Sequence, residues 1–308
     1  MSKKYFFITA VFLAVLMRPV YSQDKPNEHV EITAHSLGPK VNSSTNDFLP
    51  YITKDGLSLY FVSQRSLGKN QIFVSKRKSR NAEWEEPEFY KLLQYKDAVT
   101  GIAFDDSGRV YCSSNRNNRG DLNIWEGDSH GDKLTMLPEP VNTIKAEMEP
   151  SVTRDGKYLF FASNRASLKD AGNIHIDIYV TQRKPDGSWS EPEDLGPNIN
   201  IGRYNLTPSI SPDGRFLFFA SKEEKKLNVK SKIYMSEHIG PKNTDWLPAV
   251  LLPPGINSEF DDSSPMVAPD GKTLYFASDR VSANRLDLYE ATLPQNIQDK
   301  VAHSFPGY

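Results

Sequence analysis

The chain sets short polar turns against dense apolar runs, and it does so in a repeating unit. Five segments carry the same order of residue types: YITKDGLSLYFVSQR (51–65), AFDDSGRVYCSSNR (103–116), SVTRDGKYLFFASNR (151–165), SISPDGRFLFFASKE (209–223) and MVAPDGKTLYFASDR (266–280). Each turns at a glycine: Gly56, Gly108, Gly156, Gly214 or Gly271. Asp-Gly supplies the positive-φ backbone that a tight hairpin demands. The run after the turn, such as residues 158–162, is apolar at consecutive rather than alternate positions. That pattern predicts a strand buried on both faces, as expected of a sheet held between two neighbouring sheets.

The turn glycines recur at steps of 52, 48, 58 and 57 residues, and more of the unit recurs with them. A third strand is predicted around 72–74, 122–125, 177–180, 233–235 and 287–289. A Trp with a Pro shortly after it follows in three units: Trp84 and Pro87, Trp189 and Pro192, Trp246 and Pro248. A Leu, an Asn five residues on and a Pro eight beyond that come last: Leu137, Asn142, Pro150; Leu195, Asn200, Pro208; Leu252, Asn257, Pro265. Four strands per repeat is the blade of a β-propeller. The same spacing stands at Leu37, Asn42 and Pro50, ahead of the first hairpin, while the last unit stops near 289–293 without an outer strand of its own. A strand near 30–35 is therefore predicted to complete the last blade, which removes a sheet edge and ties the two ends of the ring together. The expected fold class is all-β: a propeller of five four-stranded blades over residues 23–293, with 294–308 as a tail.

The repeated [ST]-x-D-G-x-x-L-[YF]-F-x-S-x-R pattern resembles the WD40-like PD40 repeat of TolB-type propellers. The namesake Pro-Asp stands at Ser211-Pro212-Asp213-Gly214 and Ala268-Pro269-Asp270-Gly271. The resemblance covers residues 29–293 and implies a propeller of the cell envelope. Propellers of this kind serve as binding platforms, accessory domains and enzymes, so the fold alone does not choose among these roles. TolB-like proteins also carry an α/β domain ahead of the propeller, which these residues do not match, so TolB's own partner is not carried over.

Composition narrows the classes. The 308 residues are 38% hydrophobic and 25% charged, too apolar for a disordered chain. The single cysteine excludes a disulfide scaffold and a thiolate zinc site. Lys3 and Lys4, the apolar run 5–17 and the small residues Val20 and Ser22 read as an export leader over 1–22, with Gln23 as the mature start. The expected location is periplasmic or secreted, with no membrane span once the leader is gone. Loss of Lys3, Lys4 and Arg18 takes the formal net charge from −2 to −5. That leaves no electrostatic case for nucleic-acid binding. The one basic cluster, 222–232, also holds Glu223 and Glu224 and reads as a solvated loop.

Loop lengths point to a binding face. The first-to-second and third-to-fourth turns are tight, whereas the second-to-third loops (166–176, 222–232, 281–286) and the inter-blade loops are longer and variable. Variable loops on a rigid scaffold commonly carry recognition. Near them, Asp47, Glu147 and Asp262 each stand 18 residues before an arginine: Arg65, Arg165 and Arg280. This is the pattern of a repeated structural ion pair; an acidic ring for a cation such as calcium is the alternative. No other cofactor is expected. Blade 4 has Asn205 and Glu223 at these positions, and blade 2 has Val99 with Arg116. That irregular sector supplies the candidate binding residues Asn115, Arg116, Asn117 and Arg119, joined by His175 and Tyr204. The expected partner is a protein, peptide or glycan of the cell envelope. The enzyme alternative is a carbohydrate hydrolase using channel-mouth carboxylates from Glu147, Glu149, Asp261 and Asp262. The six histidines show no metal-ligand spacing, and Cys112 aligns with a buried strand position.

Overall fold

A computed structural model describes residues 32–304 apart from 67, 91–97, 117–120, 129–133, 169–173 and 223–228. Among the described residues twenty strands form five antiparallel four-stranded sheets, the five blades of a β-propeller. Blade 1 holds β2 (Asp47–Ile52), β3 (Ser58–Ser63), β4 (Gln71–Lys76) and β5 (Glu88–Phe89). Blade 2 holds β6 (Val99–Phe104), β7 (Arg109–Ser114), β8 (Asn123–Asp128) and β9 (Thr135–Met136). Blade 3 holds β10 (Glu147–Val152), β11 (Tyr158–Ser163), β12 (Asp177–Gln182) and β13 (Glu193–Asp194). Blade 4 holds β14 (Tyr204–Ile210), β15 (Phe216–Lys222), β16 (Lys232–Glu237) and β17 (Val250–Leu251). Blade 5 holds β18 (Asp262–Val267), β19 (Thr273–Ser278) and β20 (Asp287–Thr292), and its fourth strand is β1 (Ala34–Ser36) from the other end of the chain. The first strands pack in a closed ring, β2 to β6, β10, β14, β18 and back to β2.

The hairpins form as the turn residues dictate, with one refinement. All five turn glycines have positive φ, from 65° to 82°, but the preceding Asp or Ser does not. In blade 1, Gly56 N–H donates to the Thr53 carbonyl, and the Asp55 carboxylate accepts from Thr53 Oγ1 and Leu57 N–H. The aspartate therefore acts through its side chain, and glycine alone supplies the left-handed step.

The second strands are buried on both faces, as their unbroken apolar runs require. Leu159, Phe160, Phe161 and Ala162 are all in the core. They meet residues of neighbouring blades, so the cores lie between sheets and not inside any one of them. The tryptophans are wedges in these seams. Trp189 meets Tyr111 of blade 2, Trp246 meets Phe160 of blade 3, and Trp84 meets Tyr275 of blade 5, each near-perpendicular with ring centres 6.1–6.4 Å apart.

The repeated asparagines are also explained. Asn142, Asn200 and Asn257 each use the side-chain amide to pair with both backbone groups of a third-strand residue: Ile124, Ile178 and Ile233. Asn42 does the same to Leu288, 246 residues away, at 3.0 and 2.7 Å. The ring is thus closed by the device that ends each ordinary blade. The tail expected over 294–308 includes a short helix, α1 (Gln295–Val301), whose Ile297 and Val301 are buried in the core shared by blades 4 and 5. The packed body therefore continues past residue 293. Among the described residues, no helix is long and apolar enough to cross a membrane.

Candidate functional site

Every first strand carries a one-residue bulge. Phe48 pairs with Val62 but Tyr51 with Tyr60, and the same slip occurs at Thr100/Ile102, Met148/Ser151, Leu206/Ser209 and Ser263/Met266. The bulged residue has positive φ in all five blades: Leu49 (52°), Gly101 (70°), Glu149 (56°), Thr207 (51°) and Ser264 (55°). In four blades a proline follows, which has no N–H to leave unpaired on the innermost edge. Only blade 2 uses glycine at the strained position, and there a Cβ would lie 3.2 Å from the Glu149 Cα.

Hydrogen bonds link neighbouring bulges. Glu149 N–H donates to Ser113 Oγ of blade 2 (3.0 Å), Thr207 N–H donates to Glu149 Oε2 (2.6 Å), and Ser264 N–H donates to Thr207 Oγ1 (3.2 Å). A side chain of each blade therefore caps the strained backbone of the next, from blade 2 to blade 5. Backbone strain of this kind costs about 1–3 kcal/mol per residue and persists where the surroundings over-determine it.

Above the bulges lies a cavity of about 740 Å³. Its lining begins at the bulge of each first strand and runs to the hairpin turns, including Lys54, Asp55, Asp105, Asp106 and Arg154. The cavity therefore sits at the end of the ring that bears the tight turns. Loop length pointed to the opposite end. Three of its lining carboxylates are already engaged, two by their own turns and one by a lysine of the neighbouring blade. Asp55 takes the bonds given above. Asp105 accepts from Ser107 N–H, Ser107 Oγ and Arg109 N–H, and Asp106 pairs with Lys54 at 3.3 Å. Glu149 differs: among the described residues its one hydrogen-bond donor is Thr207 N–H, and it meets no cation. Burial pushes its carboxyl from 4.5 up to about 7, against the pull of the Thr207 N–H.

That shift has a sign. The group holds its proton more tightly folded than unfolded, so its contribution is present below about pH 4.5 and lost as pH rises through about 7. Replacement Glu149→Gln keeps an acceptor for Thr207 N–H and removes the titration. After allowance for solvent contact in the channel, the variant is expected to be about 2 kcal/mol more stable at pH 8 and equal to the parent at pH 4.5. Urea unfolding at the two pH values measures this; equal stability at pH 8 would refute it.

The acidic residues expected near the loops are used structurally. Asp47, Glu147 and Asp262 are fully buried and meet Arg65, Arg165 and Arg280 at 2.9, 3.2 and 2.7 Å. Each carboxylate also accepts from the backbone N–H and hydroxyl of the residue four before it: Ser43, Thr143 or Ser258. Each arginine also donates to a carbonyl of the preceding loop, at Val41, Val141 or Ile256, and lies about 5.0 Å over aromatic rings. Burial raises the Glu147 carboxyl, opposed by Thr143 and Arg165. Asn205 replaces the pair in blade 4, accepting from Ser221 Oγ and donating to Ile176 O. Asp261 is held by Lys230 at 2.9 Å. Among the described residues, no group of three or more His, Cys, Asp or Glu is placed to hold a metal ion.

The loop-end candidates are spread out. Asn115 accepts from Ala98 N–H, the same tie that Asn164 makes to Ala146. Arg116 lies 4.8 Å over Trp125. Tyr204 opens β14, and half-buried His175 lies beside Asp177. Asn117, Arg119 and Glu223 lie outside the described residues. Cys112 is buried, and burial pushes its thiol up to about 12, as befits a core residue. Sequence reasoning groups Glu149 with the channel-mouth carboxylates Glu147, Asp261 and Asp262; the structure sets it apart as the acid of the channel. The signal is the alignment of the five bulge positions, four of them before a proline: the others are Leu49, Thr207 and Ser264, with Gly101 before Ile102.

No protein-family model and no curated protein matches the chain. Solved structures do. TolB from Acinetobacter baumannii superposes with a TM-score of 0.50 at 17% identity, over 82% of this chain and 55% of that one, so the chain spans about half of that TolB's length. The catalytic domain of the Coprinopsis cinerea GH62 α-L-arabinofuranosidase gives 0.56 at 13% identity, over 86% and 98%. An endo-arabinase from Bacteroides thetaiotaomicron gives 0.52 at 18% identity, over 86% and 97%. At this level of identity the likeness is one of fold: a five-bladed propeller whose structural neighbours include TolB-type proteins and glycoside hydrolases.

Proposed function

We propose that the chain is an exported, PD40-type binding propeller that takes a peptide segment of a cell-envelope partner into its central channel from the turn end. The channel itself carries this reading. Its volume of about 740 Å³ is that of a ligand site, and it mixes apolar walls with a few placed polar groups. The leader pattern at 1–22 and the repeat resemblance support the export and envelope assignments.

The hydrolase alternative asks for two carboxyl groups set across a scissile bond, one of them a proton donor. Glu147, Asp261 and Asp262 are each bound to a cation of the fold, which leaves Glu149 without such a partner in the channel. One uncommitted carboxyl suits recognition better than a two-carboxylate hydrolysis.

The test uses the mature protein against a peptide array of envelope-protein segments, with envelope glycans and calcium screened in parallel by thermal shift. Met266→Trp fills the channel wall and is expected to weaken peptide binding at least about tenfold. Asn115→Ala, Arg116→Ala, His175→Ala and Tyr204→Ala at the loop end are expected to leave it unchanged. The opposite outcome moves the site to the loop end. Turnover of a glycan that Glu149→Gln abolishes would replace the binding reading with the enzymatic one.

A further inference from the structure

The ligand chemistry of the channel can be taken one step further, resting on the binding reading above. The cavity has an aromatic wall on the blade 1 and blade 2 side. Tyr51 and Phe104 lie 5.3 Å apart between ring centres, Tyr60 and Phe104 5.2 Å, and Tyr60 and Tyr90 5.0 Å, at mutual angles of 51–83°. All four rings are half-buried and line the cavity. Burial raises the Tyr51, Tyr60 and Tyr90 hydroxyls, so these rings stay neutral. Neutral rings present negative faces, to which a cation is drawn.

The charges in the same cavity favour a cation too. Lys54, Arg80 and Arg154 stand against Asp55, Asp105, Asp106 and Glu149, which leaves one negative charge over when Glu149 is ionised. That charge sits on the one lining carboxylate not committed to a turn or a cation. Its Oε2 is occupied by Thr207 N–H, so one oxygen, Oε1, remains for a ligand. A guanidinium gains most from binding both oxygens of a carboxylate, whereas an ammonium is a compact charge satisfied by a single oxygen. A metal ion would want several hard donors, and among the described residues no three or more His, Cys, Asp or Glu gather to hold one.

We propose that the channel seats an alkylammonium group, a lysine side chain or amino terminus of the bound peptide, between the Glu149 carboxylate and the wall of Tyr51, Tyr60, Tyr90 and Phe104. The alkyl stem lies along the apolar lining, and the charged head reaches Glu149.

The probe is n-butylammonium, with n-butanol and butyrate as neutral and anionic counterparts, titrated into the mature protein by calorimetry and tyrosine fluorescence. Butylammonium is expected to bind, and the two counterparts at least about tenfold more weakly. Glu149→Gln is expected to lose at least tenfold while staying folded, and Tyr60→Leu to lose several-fold with an unchanged circular dichroism spectrum. Affinity is expected to rise as pH is raised from 6 to 8 in the parent and to be flat in Glu149→Gln. Butanol binding as tightly as butylammonium, or Glu149→Gln binding it unchanged, overturns the proposal. If array peptides bind while butylammonium does not, the ammonium assignment fails and the platform stands. If neither binds, both fail.

Discussion

Asp262→Ala is expected to destabilise the protein by about 3–5 kcal/mol, the usual cost of removing one member of a buried ion pair. The carboxylate is fully buried and holds four things at once. It takes Arg280 at 2.7 Å on Oδ1, and Ser258 N–H and Ser258 Oγ on Oδ2, with Lys232 at 3.8 Å. Arg280 in turn holds Gly255 O, Ile256 O and Ser278 Oγ and lies over Phe276 and Tyr289. Truncation leaves a largely buried guanidinium without its counter-charge and a backbone N–H without its acceptor. For a domain of this size the melting temperature should fall by about 10 °C. Asp262→Asn should cost less than Asp262→Ala, because an amide oxygen still accepts from Arg280 and Ser258, but more than nothing, because Arg280 loses its counter-charge; blade 4 runs on Asn205 with Glu223, not an arginine, at the matching position. Glu259→Ala, three residues earlier and exposed, serves as the control and should change nothing measurable. A loss under 1 kcal/mol for Asp262→Ala would show that the repeated pairs do not hold the blades.

These pairs were legible in the sequence because they obey a fixed spacing. A separation of 18 residues repeated in three blades is a geometric statement about a hairpin, and the hairpin is set by local turn chemistry. The asparagine device was legible for the same reason. Its occurrence at Asn42 predicted the ring closure correctly. What stayed hidden has a common cause as well. The bulges put Leu49, Glu149, Thr207 and Ser264 at positive φ, and nothing in those residue types announces it; only Gly101 does. The bulges are held by hydrogen bonds between blades: Ser113 and Glu149 are 36 apart, while Glu149 with Thr207 and Thr207 with Ser264 are one blade step apart, 58 and 57, but the side chains that serve are of three different types. Loop length likewise says which end of a ring is variable. It does not say where the inner strands diverge enough to leave a cavity, because that depends on how bulges and prolines bend all five first strands together.

The closing strand makes the other large prediction. A chain truncated to begin at Leu37 lacks β1 and should lose about 4–6 kcal/mol, from the ladder hydrogen bonds at roughly 1 kcal/mol each and the packing of Ile32 and Ala34. In the intact ring Ala34, His35 and Ser36 pair with Ala291, Glu290 and Tyr289. Ile32 and Ala34 lie on the core that contains Leu252, Ile256, Ala291 and Leu293. Asn42 would remain, but its partner Ser36, 3.1 Å away, would be gone. The deletion also uncovers the outer edge of β20, four of whose six residues are buried and whose outward backbone groups would then be unpaired. An open edge of this kind recruits a strand from another chain. The truncated protein should therefore melt well below the parent and run as a concentration-dependent dimer in light scattering, while Asn42→Ala, with β1 in place, stays monomeric and is destabilised by about 2–3 kcal/mol. A truncated chain that stays monomeric and melts with the parent would mean that the contact between the two ends of the ring is an accessory, and that the other four blade seams hold it closed.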